Sequence, residues 1–109
     1  MKMKGIVMKG KNRGKELGFP TANIVYSGDL ESGVYAGGVL AENKKYKAGI
    51  FRDKANNLIE AHILNFSGDL YGQEIEVEIL NKLREVVKFE NEEELIKQIA
   101  EDISRINNL

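Results

Sequence analysis

The sequence predicts a mainly β domain, an antiparallel barrel or sandwich with a single helix laid against it at the C-terminus. Three observations lead there. Four stretches of strand length are rich in β-branched and aromatic residues, with turn residues between them. A fifth apolar stretch stands near the N-terminus. After Phe89 the hydrophobic period changes from that of a strand to that of a helix.

The first element is "GIVMK" (Gly5 to Lys9), followed by "GVYAGGVLA" (Gly33 to Ala41) and "KKYKAGIF" (Lys44 to Phe51). Asn56 and Asn57 mark a turn before "LIEAHILNF" (Leu58 to Phe66). In that strand Ile59, Ala61 and Ile63 share one face, and Leu58, Glu60, His62 and Leu64 share the other. The apolar triplet is the core face, so a carboxylate and an imidazole are left to project into a cleft or to sit on an ordinary exposed face. Ser67, Gly68 and Asp69 mark the next turn. "EIEVEIL" (Glu74 to Leu80) then sets Ile75, Val77 and Ile79 against Glu74, Glu76 and Glu78, one buried face and one solvated face. Leu95, Ile96, Ile99, Ile103 and Ile106 recur at helical spacing and are assigned to core packing. Asn91 caps that helix and Glu94 completes a capping box, while Glu93 with Lys97 and Glu101 with Arg105 make i,i+4 pairs. A closed barrel would remove the exposed edges that such short strands leave.

Composition bounds the function. At 109 residues and 42% hydrophobic, the chain can bury one modest core, which predicts a single domain over residues 1–109. Its net charge of −1 lacks the basic footprint of a nucleic-acid binder, so no nucleic-acid partner is expected. The absence of cysteine excludes disulfides and thiolate metal sites, and a lone histidine argues against zinc. No hydrophobic run reaches the roughly 18 residues of a membrane span, and no signal-peptide pattern is present. A cytosolic protein without a membrane partner is expected.

Cationic residues gather at the N-terminal end, where Lys2, Lys4, Lys9, Lys11, Arg13 and Lys15 sit among glycines. That arrangement suits a few phosphates better than a polymer backbone. "GIVMKGKN" (Gly5 to Asn12) approaches a P-loop but fails, because Asn12 replaces the metal-binding hydroxyl and no amphipathic helix follows. Gly10 and Gly14 do not make a dinucleotide fingerprint either. "ELGFPTAN" (Glu16 to Asn23) holds the chain's one proline and offers a hydroxyl and a carboxamide two residues apart. It reads as a turn joining two strands or as hard oxygen ligands for a magnesium ion bridging to phosphates. Tyr71 and Phe89 are candidate ring-stacking partners, and Arg84 an anion or ring contact.

Taken in this order, "GIVMKGKNRGKELGFPTANI", "GVYAGGV", "IEAHIL", "GDLYGQEIEVEIL" and "LREVVKFENEEELIKQIAEDI" resemble the riboflavin kinase (flavokinase) family over almost the whole chain. The resemblance implies a small Greek-key antiparallel β-barrel with a C-terminal helix, and transfer of the γ-phosphoryl group of ATP to the 5′-hydroxyl of riboflavin, giving FMN. It implies that Thr21 and Asn23 hold Mg2+ and phosphate, and that Gly10, Gly14, Lys15 and Pro20 complete the nucleotide site. It implies Glu60 as catalytic base, and His62, Tyr71, Arg84 and Phe89 on the flavin side. A monomer with small-molecule partners is expected, its product stopping at FMN for want of a separate adenylyltransferase domain. The competing expectation is a non-enzymatic flavin- or nucleotide-binding barrel.

Overall fold

Alternating apolar residues dictate strands wherever one sheet face must be buried, and the computed structural model, which describes residues 1–8 and 21–109, has six of them among those residues. They are β1 (Lys2–Ile6), β2 (Ala22–Val25), β3 (Gly33–Ala41), β4 (Lys44–Asp53), β5 (Leu58–Ile63) and β6 (Glu74–Arg84), followed by the helix α1 (Glu92–Asn107). All six join one antiparallel sheet in the order β1-β6-β3-β4-β5-β2. β3, β4 and β5 form a meander and β6 returns beside β3, which is the Greek-key order. The two outer strands then meet. Met8 bridges to Asn23, its N–H donating to the Asn23 carbonyl at 2.8 Å, so the sheet is a nearly closed barrel.

Strand limits differ from the sequence expectation in instructive places. β3 spans Gly33–Ala41 as expected, and a two-residue turn joins it to β4 with Glu42 and Asn43 both at positive φ (51° and 65°), the form that suits strand twist. β5 stops at Ile63 rather than Phe66, because Asn65 adopts φ 57° and turns the chain. β6 runs four residues beyond Leu80, through two irregularities in its pairing with β3. β1 lies at Lys2–Ile6, offset from the expected Gly5–Lys9. β2 has four residues and was not among the expected strands.

The barrel interior is filled by the predicted inward faces. Ile59, Ala61 and Ile63 of β5 and Ile75, Val77 and Ile79 of β6 are buried, together with Ile24, Tyr35, Val39 and Ile50. One charged residue joins them. Arg52 is 0% exposed; its Nε donates to Leu30 O, Nη1 to Tyr26 O and Leu58 O, and Nη2 to Gly28 O, at 2.8–3.3 Å. The guanidinium also lies 4.8 Å from the Tyr26 ring centroid. It therefore folds the 26–30 loop over one end of the barrel by satisfying that loop's carbonyls.

α1 packs outside the barrel. Ile106 is buried with Ala36 and Leu64, and Leu83 and Ile103 pack partly buried beside them. The helical stripe is thus narrower than expected: Ile96 is exposed, and Asp102 is the other buried residue of the helix. The strands already fill the interior, so the helix needs only a short apolar seam. Asn91 is the N-cap, its side chain accepting the Glu94 N–H at 2.9 Å. The expected Glu101–Arg105 pair is replaced, since Arg105 donates to Leu83 O at 3.3 Å. Among the described residues, no helix is long and apolar enough to cross a membrane.

Candidate active site on the outer face of the barrel

Glu60 and His62 stand half-buried on the outer face of β5, opposite its buried triplet. Strand register shows what lies beside them. Glu60 pairs with Asn23 on β2 and with Phe51 on β4; Phe51 pairs with Val34 on β3, and Val34 with Arg84 on β6. Residues opposed in register share a sheet face, so Asn23, Glu60, Phe51 and Val34 form one transverse row that leads to Arg84. Three strand spacings separate Glu60 from Arg84, about 14 Å along the sheet. His62 lies in the next row, opposite Gly49, where α1 begins to cover the face: a Cβ on Gly49 would stand 3.1 Å from Ile106 Cδ1.

At one end of the row, Asn23 is buried and its Oδ1 accepts no hydrogen bond from the described residues. A buried carboxamide oxygen without a partner costs about 1–3 kcal/mol. Such an oxygen is available to a ligand, and hard oxygen donors are the kind magnesium takes. Thr21, half-buried just before β2, brings a hydroxyl two residues away. The local sequence explains the placement: Ile24 takes the inward position of β2, which turns Asn23 to the outer face. Among the described residues there is no cluster of three or more His, Cys, Asp or Glu able to hold a metal ion.

At the other end, each of the three Arg84 guanidinium nitrogens is engaged. Nε donates to Asp102 Oδ1 and Oδ2 at 3.1 and 3.2 Å, Nη2 to Asp102 Oδ2 at 2.9 Å, and Nη1 to Glu85 O at 3.2 Å. The Arg84 Cζ lies over the Phe89 ring, 5.9 Å from the centroid. Tyr71 stands elsewhere. Its turn is bonded to the residue that follows β1, with the Gly72 N–H on Val7 O at 2.9 Å, just before β6 begins at Glu74; Arg84 ends β6 ten residues after that. At about 3.3 Å per residue the two lie at opposite ends of the strand.

The family model for riboflavin kinase (Flavokinase) matches residues 1–109. The chain belongs to the riboflavin kinase family. An RNA-binding riboflavin kinase of Bacillus subtilis is 40% identical over 110 residues, and a bifunctional riboflavin kinase/FMN adenylyltransferase of Buchnera aphidicola is 36% identical over 110 residues. These alignments cover 92% and 91% of this chain but 47% and 35% of the relatives, so the chain spans less than half of either protein. Among solved structures, a Streptococcus pneumoniae protein described as a macrolide-efflux protein superposes with TM-score 0.88 at 28% identity, covering 99% of this chain and 38% of that one. A Trypanosoma brucei riboflavin kinase superposes with TM-score 0.70 at 22% identity, covering 98% of this chain and 77% of that one, a likeness of fold.

Against the riboflavin kinase expectations, the structure brings Asn23 and Glu60 side by side and sets Thr21 close by in sequence. It sets Arg84 over the Phe89 ring and leaves Tyr71 apart. Gly10, Gly14, Lys15 and Pro20 lie outside the described residues. Sequence reasoning missed Phe51 and Asp102. Phe51 alternates with the inward Ile50 and Arg52, so its strand parity was a usable signal. For Asp102 only its place within the apolar stripe, one residue before Ile103, gave a hint.

Proposed function

We propose that the chain is a riboflavin kinase, transferring the γ-phosphoryl group of ATP to the 5′-hydroxyl of riboflavin to give FMN and ADP. The observation that carries this reading is the register pair Asn23–Glu60, which seats a buried, unpartnered oxygen beside a carboxylate on one face. Phosphoryl transfer asks for little else than positioning and charge neutralisation, and these are the two groups it needs adjacent. Thr21 Oγ1 and Asn23 Oδ1 would hold Mg2+. Bound there, the ion neutralises phosphate charge.

Glu60 takes the proton of the ribityl 5′-hydroxyl as that oxygen bonds to the γ-phosphorus. The bond from phosphorus to the β,γ-bridging oxygen breaks, and ADP leaves with that electron pair. Phe51 and Val34 supply an apolar floor between the base and the far end of the row. There the Arg84 face and the Phe89 ring offer a flat, partly apolar contact for the isoalloxazine, with His62 orienting groups beside the base. Gly10, Gly14, Lys15 and Pro20 belong to the nucleotide side in this reading.

The test is one incubation of the purified chain with riboflavin, ATP and magnesium, resolved by chromatography. FMN formed in proportion to protein is the expected result. Riboflavin or nucleotide binding without FMN would favour the non-enzymatic barrel instead.

A further inference from the structure

The connector between β6 and α1, residues 85–91, is bracketed by a single carboxylate. Asp102 projects from the helix and receives two nitrogens of Arg84, the last residue of β6. Its Oδ1 also accepts from Gln98 Nε2 at 3.1 Å, one helical turn earlier. The pair is well shielded, with side chains 18% and 8% exposed for Arg84 and Asp102. Taking both charges out of water is costly, and an apolar pair of similar size would often hold strand to helix as well. What the ion pair adds is orientation. A two-nitrogen contact fixes the guanidinium in place, with Arg84 Cζ over the ring of Phe89, which the connector carries.

We infer that Asp102 is a positioning residue for riboflavin: by holding the Arg84 guanidinium over Phe89 it sets the surface on which the isoalloxazine rests, without touching the substrate. The inference rests on the riboflavin kinase reading above, which assigned Arg84 and Phe89 to the flavin end. It separates the two substrates. The nucleotide end lies across the row at Asn23, so disturbance at Asp102 acts on riboflavin and spares ATP.

The experiment measures KM for riboflavin and for ATP, together with quenching of riboflavin fluorescence by the nucleotide-free protein, for the unsubstituted chain, Asp102→Asn and Asp102→Glu. Asp102→Asn keeps the shape and loses the charge; Asp102→Glu keeps the charge and moves it. In Asp102→Asn the riboflavin KM should rise roughly tenfold or more, the scale on which small misplacements act, with the ATP KM unchanged and quenching weakened in step. Asp102→Glu should fall between the two. An unchanged riboflavin KM in a folded Asp102→Asn, an equal rise in both KM values, or loss of the fold in both variants would overturn the inference, the last by making the pair a scaffold contact. If the unsubstituted chain yields no FMN, the kinase reading fails separately, and the quenching comparison alone decides the role of Asp102. Absence of riboflavin binding by the unsubstituted chain would overturn both.

Discussion

Asn23 gives its backbone carbonyl to the Met8 N–H and leaves its side-chain oxygen unpaired in a buried position. Replacing it with leucine, of the same branching but apolar, should therefore separate stability from activity. Without ligand, Asn23→Leu should melt at or above the temperature of the unsubstituted chain, because a buried oxygen no longer lacks a partner. With saturating ATP and magnesium, the unsubstituted chain should gain in melting temperature and the variant should not. Both are read by thermal denaturation with and without the metal nucleotide. At the neighbouring position, Glu60→Gln should lower single-turnover FMN formation by about 10²- to 10⁴-fold, the usual range for loss of a general base. Its melting temperature should hold, since the residue faces outward from the barrel core. As candidates these two residues were legible in local patterns: a hydroxyl and carboxamide beside proline, and a Glu-x-His on the polar parity of a strand. Arg52 and Asp102 were not. Each is buried only because distant partners, the 26–30 carbonyls for one and Arg84 for the other, arrive through tertiary folding.

Among the elements, β3 and the strands paired with it show where alternation suffices and where it does not. The inward and outward faces of β5 and β6 followed from period-two patterning, and the helix start followed from Asn91. β2 escaped because four residues are too short for a pattern, and its polar member, Asn23, is buried rather than solvated. The end of β6 escaped because irregular pairing shifts its register: Tyr35 opposes Lys82, yet Val34 opposes Arg84. A glycine makes the second irregularity possible. A Cβ on Gly37 would stand 1.9 Å from Glu78 O, a backbone atom that cannot yield without moving β6. Gly37→Ala should destabilise the chain by about 1–3 kcal/mol or more, the range for forced overpacking, measured as a fall in urea midpoint. A midpoint equal to that of the unsubstituted chain would show that β6 can retreat without loss.

On the scale of the whole molecule, the riboflavin kinase barrel has a weak line. Five of its strand pairings are ladders of four or more residues, whereas β1 and β2 are joined, among the described residues, by the single bridge at Met8 and Asn23. Gly5 helps the two approach, since a Cβ there would stand 2.9 Å from Ile24 Cβ. The same Asn23 that closes the sheet through its carbonyl carries the candidate metal ligand on its side chain. A metal nucleotide seated on that side chain would act as a clasp, so that every opening of the barrel must first release it. The Met8 amide then becomes a reporter of occupancy. Its hydrogen exchange should slow about 100-fold when ATP and magnesium are present at one hundred times the dissociation constant, while amides in the β3–β4 ladder, far from the opening line, change little. Equal slowing at both places would mean that the barrel opens only as a whole, and the clasp would have nothing local to hold.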